Sequence, residues 1–236
     1  MDNNIEILEE NKKNINKIYH ISDIHISKYD RHNEFRNVFN NLFKLINKDV
    51  KKEDSLIVIT GDILDRGMDL SPECIELLQD LYISLTNICD VITINGNHDY
   101  KGASVNYTNP LFPFVEKIFY NKSGKKSYIL DKNKNYIYNN IIFGVTTCFA
   151  TKVTECKLAT DKIKVGLYHG QFYKSKTNSG YEFDDESLFN CESFIDYDYV
   201  LLGDIHKFQY LNKEKTIAYA GSLLQLKRDE SILDHG

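Results

Sequence analysis

Three things are scarce in this chain of 236 residues. Cysteine is limited to Cys74, Cys89, Cys148, Cys156 and Cys191, an odd, widely spaced set without a CxxC pair. That excludes zinc or redox chemistry of the CxxC kind and fits buried free thiols in a reducing compartment. Positive charge is also short, since 29 Lys and Arg stand against 34 Asp and Glu, a net charge of -5. No global field draws in nucleic acid, so contact with a phosphate backbone must come from a local patch or from bound cations. Long apolar runs are the third absence. Met1 to Lys17 is polar, with no apolar core of signal-peptide length, and no later stretch reaches the length of a membrane span. The expected setting is intracellular, cytoplasm or nucleus, with no membrane partner.

What is present is a set of short apolar runs that end in polar residues. The length suits one large α/β domain. Residues 1 to 16, rich in Asn, Glu and Lys, read as a solvated lead-in or frayed helix, and the domain occupies 17 to 236. Lys17 to Ser22 alternates into a first strand. Phe35, Val38, Phe39, Leu42, Phe43 and Ile46 follow the three-and-four spacing of an amphipathic helix over 33 to 48. Leu56 to Thr60 is a β-branched run that reads as a buried strand. Ser71-Pro72 then supplies an N-cap and a first-turn proline for a second helix carrying Ile75, Leu77, Leu78, Leu81 and Leu85. Strand, helix, strand, helix predicts a parallel sheet with helical cover. Further strands are expected at 91 to 95, 141 to 147, 163 to 168, 199 to 202 and 216 to 220. Between them come a short helix over 109 to 119, an exposed hairpin over 121 to 140 and a long surface excursion over 172 to 197. Lys122, Lys125, Lys126, Lys132 and Lys134 in that hairpin either meet a phosphate backbone or are simply solvated.

The chemistry sits where the strands stop. Asp23-Ile24-His25, Gly61-Asp62-Ile63-Leu64-Asp65-Arg66, Gly96-Asn97-His98-Asp99, His169-Gly170 and Gly203-Asp204-Ile205-His206 each follow an apolar run. Carboxyl ends of strands are where open α/β sheets place ligands. Each motif alone has a plainer reading: an Asx-type turn with a surface ion pair for the second, a turn-capping carboxylate with a chance histidine for the first. Together they gather Asp23, His25, Asp62, Asn97, His169, Asp204 and His206, a mixed nitrogen and oxygen set sufficient for two metal ions sharing one carboxylate. His20 is expected in the core or behind the site, His32 at the surface and His235 in a tail. Ser222 either closes over the site or ends a strand.

These ordered blocks, from Asp23 to His206, resemble the calcineurin-like metallophosphoesterases. Within them the GNHD ending, the block Leu201 to Gln209 and the closing Tyr219 to Gln225 look most like the SbcD-type DNA repair nucleases. The resemblance implies an α/β fold, a double β-sheet sandwich flanked by helices in four layers, with a dinuclear site at the strand ends. It implies that Asp23, His25, Asp62 and His206 hold one divalent ion and Asp62, Asn97, His169 and Asp204 the other. His98 would steady the transition state or protonate the leaving oxygen, Asp65 would orient His98, and Arg66 would clamp phosphate as in the phosphatase branch. The nucleases carry histidine where this chain has Asp204, and a carboxylate there favours harder ions, manganese over zinc, with magnesium or iron as alternatives. The implied activity is phosphodiester hydrolysis on DNA, with a phosphomonoesterase or a non-catalytic scaffold as rival readings. An SbcC-like SMC-type ATPase and a second copy of the chain are the implied partners. On this resemblance, the capping domain that follows in the nucleases is expected to be absent or truncated here.

Overall fold

In a computed structural model, residues 5–11, 14–49, 54–66, 70–100, 111, 115, 124–228 and 230 are described. Every residue of β3 (Ser55–Thr60) is buried, as its β-branched sequence requires of a strand covered on both faces. It lies between β2 (Lys17–Ile21) and β4 (Asp90–Ile94), with β5 (Ser127–Ile129) beyond, in a four-stranded sheet whose pairs are all parallel. Alternation along β3 divides its side chains. Ile57 and Ile59 join the cluster beneath helices α1 (His32–Asp49) and α2 (Pro72–Thr86), while Leu56 and Val58 face the second sheet. Phe35, Phe39 and Ile46 bury the expected stripe of α1. Ser71 caps α2 by accepting from the Cys74 N–H at 3.2 Å, a contact worth about 1 kcal/mol. Tyr82 pins α2 to β4 through a 3.0 Å hydroxyl contact with Thr93.

The second sheet has seven strands in the order β1 (Ile5–Glu9), β6 (Lys134–Tyr138), β7 (Ile141–Thr146), β8 (Ile163–His169), β9 (Tyr199–Gly203), β11 (Ile217–Tyr219), β10 (Gln209–Tyr210). It is mixed, with antiparallel pairs at β6–β7 and β10–β11. The two sheets pack through Leu56, Val58, Ile92, Phe143, Val145, Val165 and Leu167. This is the expected α/β double-sheet sandwich. The outer layer on the seven-stranded side has a different character: among the described residues it is the segment 172–197 rather than an α-helix. Phe172 and Phe194 are fully buried there against Tyr168, Leu202 and Tyr219. Gly144 makes room for it, because a Cβ at that position would lie 1.9 Å from the Tyr197 hydroxyl.

Several local expectations are corrected. Residues 5–9 are not a lead-in or frayed helix but an edge strand, β1, paired parallel with β6 from Ile5 opposite Asn135. Lys126 pairs with Glu9 at 2.6 Å and Lys134 pairs with Glu6, so these lysines neutralise the acids of β1. The hairpin expected over 121–140 does not form, because β5 and β6 belong to different sheets. The hairpin joins β6 to β7, with Asn139 at its turn in the left-handed conformation that asparagine tolerates. The excursion 172–197 lies largely at the surface, as expected, but anchors itself through Phe172 and Phe194 in a small aromatic cluster. The helix expected over 109–119 falls largely outside the described residues, as do His235 and Lys122; Leu111 and Val115 are buried against the helix-side cluster. The cysteines are all free, with Cys74, Cys89 and Cys156 buried. Among the described residues no helix is long and apolar enough to cross a membrane.

Candidate metal centre

Register decides where the polar loops meet. Ile21 lies opposite Ile59 and Thr60 opposite Ile94, so β2, β3 and β4 end level with one another. Pairing then continues beyond the strands: Asp23 N donates to Gly61 O at 3.1 Å, Ile24 N and His25 N both donate to Asp62 O at 2.9 Å, and Ile26 N donates to Ile63 O at 2.9 Å. The two loops are therefore locked by backbone hydrogen bonds. That course needs unusual backbone, and Asp23, His25 and Asp62 all have φ near +50°, with Asp204 at +99°. Left-handed backbone at non-glycine residues costs on the order of 1 kcal/mol each, and such residues cluster at functional sites.

From the other sheet, β8 delivers His169, opposite Gly203 at the end of β9. The His169 Nδ1–H donates to the Thr60 carbonyl at 2.7 Å, which also accepts from the Ser22 hydroxyl at 3.2 Å. His169 Nε2 is thereby turned inward, 3.3 Å from Asp62 Oδ2 and 3.1 Å from Asn97 Oδ1. Gly203 permits this approach: a Cβ there would lie 2.1 Å from the Thr60 carbonyl oxygen and 2.7 Å from His169 Nδ1.

The expected ligands therefore converge as two overlapping groups. Asp23, His25 and His206 can each offer an atom within 4.8 Å of the others, and so can Asp23, Asp62 and His169. His25 Nε2 stands 3.4 Å from Asp62 Oδ2, and His206 Nε2 stands 3.8 Å from Asp23 Oδ1. Asp204 faces the cluster, with Oδ1 3.8 Å from His169 Nε2 and its N–H donating to the Asp23 carboxylate at 3.1 Å. Asp23 is common to both groups, and a third group of His25, Asp62 and His98 ties in Asp62, whose Oδ1 is held by the His98 N–H at 2.9 Å.

Electrostatics mark the cluster as built around positive charge. Burial pushes the Asp23 carboxyl up to about 6 and raises Asp204 as well. Burial also opposes the charge of Asp62, but the imidazoles of His169, His25 and His98 outweigh it and hold that carboxyl below the ordinary aspartate range. His169 is likewise disfavoured as a cation by burial, yet the surrounding aspartates keep its pKa well above the usual value. His25 is held down to about 3 by burial, and its Nε2 is buried with no hydrogen-bond partner. Three carboxylates, an asparagine oxygen and imidazole nitrogens packed together, one of them buried without a hydrogen-bond partner, are the donor set of a site for divalent cations.

The remaining candidates lie at the rim. His98 is exposed, and its ring Nδ1–H donates to the Asp65 backbone carbonyl at 2.9 Å. The orienting contact thus comes from the main chain of Asp65 and not from its carboxyl group, which sits 3.8 Å from Arg66 Nε. The Arg66 side chain is 79% exposed and does not line the cavity above the cluster. That cavity, about 390 Å³, is bounded by the cluster residues His25, Asp62, Asp204 and His206, by Asp65 and His98, and by Arg31, Phe35, Leu226 and Lys227. Ser222 is buried, with its N–H donating to the His206 carbonyl at 3.1 Å. His20 sits behind the site, its Nε2 2.8 Å from the Thr60 hydroxyl, and His32 reaches the Ser27 carbonyl at 2.9 Å.

Three participants escaped the motif reading. Asp99 is fully buried and accepts from Ile63 N at 2.9 Å, Leu64 N at 3.0 Å and Gly96 N at 2.9 Å, fastening the loop of Asp62 to that of Asn97. Its place in the GNHD run was the available signal. Burial, then the nearby Asp62 charge, raise its carboxyl to about 7. Arg31 and Lys227 carry no motif, and only the fold places them on the cavity wall.

An uncharacterized protein of Acanthamoeba polyphaga mimivirus, R555, is 39% identical over 242 aligned positions, covering 98% of this chain. The chain spans only 18% of that protein's length. Among solved structures, the Pseudomonas putida nuclease MPE matches with a TM-score of 0.34 at 15% identity, over 66% of this chain and 63% of that one. The profile of the calcineurin-like phosphoesterases matches residues 16–208, the span that holds Asp23, His25, Asp62, Asn97, His169, Asp204 and His206, and the chain belongs to that family.

Proposed function

We propose that this chain is a divalent-cation-dependent phosphodiesterase acting on nucleic acid, a DNA nuclease of the SbcD type, with manganese as the favoured ion. Asp23, His25, Asp62 and His206 would hold one cation, and Asp62, Asn97, His169 and Asp204 the other. When bound, paired cations neutralise phosphoryl oxygens and acidify water at neutral pH. His98 stands at the cavity wall with Nδ1–H committed to the Asp65 carbonyl, so Nε2 would pass a proton to the departing oxygen only from the imidazolium form of the ring. Lys227 places positive charge on the cavity wall, suited to a flanking phosphate, whereas the Arg31 guanidinium is already paired with Glu34 and the Gln225 carbonyl.

The observation that carries this reading is the convergence on Asp62 of residues drawn from both sheets, with His25 Nε2 buried and without a hydrogen-bond partner. The preference for a diester over a monoester rests on the resemblance of residues 201–209 and 219–225 to the nucleases. The position of Arg66 supports it too, since the phosphatase-style clamp lies away from the cavity. The test places plasmid and oligonucleotide DNA beside a small aryl phosphate, with manganese and then with chelator. Manganese-dependent DNA cleavage is expected. Hydrolysis of the aryl phosphate alone would make the chain a phosphomonoesterase, and metal analysis finding no ions at saturating manganese would make it a scaffold.

A further inference from the structure

The matched family region ends at residue 208, yet a side chain from beyond it contacts an imidazole of the cluster. Glu230 is 6% exposed and its Oε1 lies 2.7 Å from His206 Nδ1. A carboxylate oxygen only accepts, so Nδ1 carries the proton and the Nε2 lone pair is left to face the cluster, 3.8 Å from Asp23 Oδ1. His169 is arranged the same way on the opposite side, with Nδ1–H given to the Thr60 carbonyl. Histidines that bind metals almost always have the second nitrogen fixed by such an acceptor.

Glu230 is itself held firmly. Its Oε2 accepts from Leu226 N at 2.6 Å, its backbone N donates to Lys227 O at 3.2 Å, and Gln225 Nε2 donates to its carbonyl at 2.9 Å. The loop so closed is tied to the start of α1 by Arg31, whose guanidinium donates to Gln225 O at 2.6 Å. Leu226 and Lys227 of the same loop form part of the cavity wall. Glu230 is thus buried, bonded to three residues that precede it, and aimed at one imidazole.

We infer that Glu230 is the positioning residue for His206, fixing its ring and tautomer for one of the two cations, so that the loop of Gln225 to Glu230 links the cavity wall to the affinity for that ion. The inference rests on the reading of the cluster as a metal centre, and its experiment keeps the two apart. In the metal-free chain, nitrogen NMR of labelled histidine should show His206 with its proton fixed on Nδ1 in wild type and exchanging between nitrogens in Glu230→Ala. Manganese titration followed by electron paramagnetic resonance should then show two ions in wild type. In Glu230→Ala one of them should weaken by about 10- to 100-fold, and Glu230→Gln, whose amide oxygen still accepts, should recover most of the loss. Thermal unfolding of the metal-free variants verifies that the fold is retained. An unchanged His206 tautomer, or wild-type affinity for both ions in Glu230→Ala, overturns the role of Glu230. A fixed tautomer in a wild type that binds no manganese would instead overturn the metal centre and leave the positioning contact standing.

Discussion

The two sheets build their halves of the centre by different means. On the four-stranded side, Asp23, His25 and Asp62 are placed by backbone hydrogen bonds that carry the parallel ladder past the strand ends, with Asp99 fastening the loop from beneath. On the seven-stranded side, His169 and His206 are placed by side-chain tethers, one to the Thr60 carbonyl and one to Glu230. A backbone-locked half has little freedom to relax after substitution, whereas a tethered half can lose one ring's orientation and keep its loops. Damage to the first should spread to both ions, and damage to the second should stay with one.

The largest expected effect tests the locked half. Asp62→Asn removes the shared charge, and both manganese sites and all turnover should vanish together. His98→Ala, at the rim, should keep both ions and lose about 10²- to 10⁴-fold in kcat, which separates charge placement from proton transfer. Retention of one tight ion in Asp62→Asn would break the comparison.

A medium effect concerns Asp99. Its carboxyl is raised to about 7 in the folded chain against an ordinary value of 3.8, so between those pH values the folded state binds a proton that the unfolded state does not. Metal-free stability should therefore fall as pH rises through that window, and Asp99→Asn should flatten the dependence in thermal melts taken from pH 4 to 8. A profile as steep as that of wild type would remove Asp99 as its source. The smallest effect is expected at Asp204, on the tethered side. Asp204→His should retain activity and shift the preference from manganese toward zinc, read by comparing rates with each ion.

The same contrast explains what could be read from the sequence. The locked half is contiguous: the strand Leu56 to Thr60, the turn to Asp62 and the GNHD run each state their geometry in neighbouring residues, and the helices of 33–48 and 71–85 follow from periodicity and a cap. The tethers are not contiguous. Glu230 lies 24 positions from His206 with nothing between them to announce the contact, and Arg31 reaches the cavity only because α1 begins there. β1 was illegible for a related reason. Its burial is slight and its strand character depends on β6, so local composition alone reads as solvated chain. The excursion 172–197 hid its core because phenylalanines at irregular spacing show no period.

The placement of β1 also sets an order of assembly. Glu6 finds its partner Lys134 only 128 residues later, while β2, immediately downstream, is committed to the other sheet. At translation rates of about 5–20 residues per second, the opening strand leaves the ribosome roughly 6–25 s before its neighbour exists. The four-stranded half can pair much of its ladder in that interval. Closure of the sandwich, and with it the arrival of His169 beside Asp62, is a late and long-range step in the life of the nascent chain.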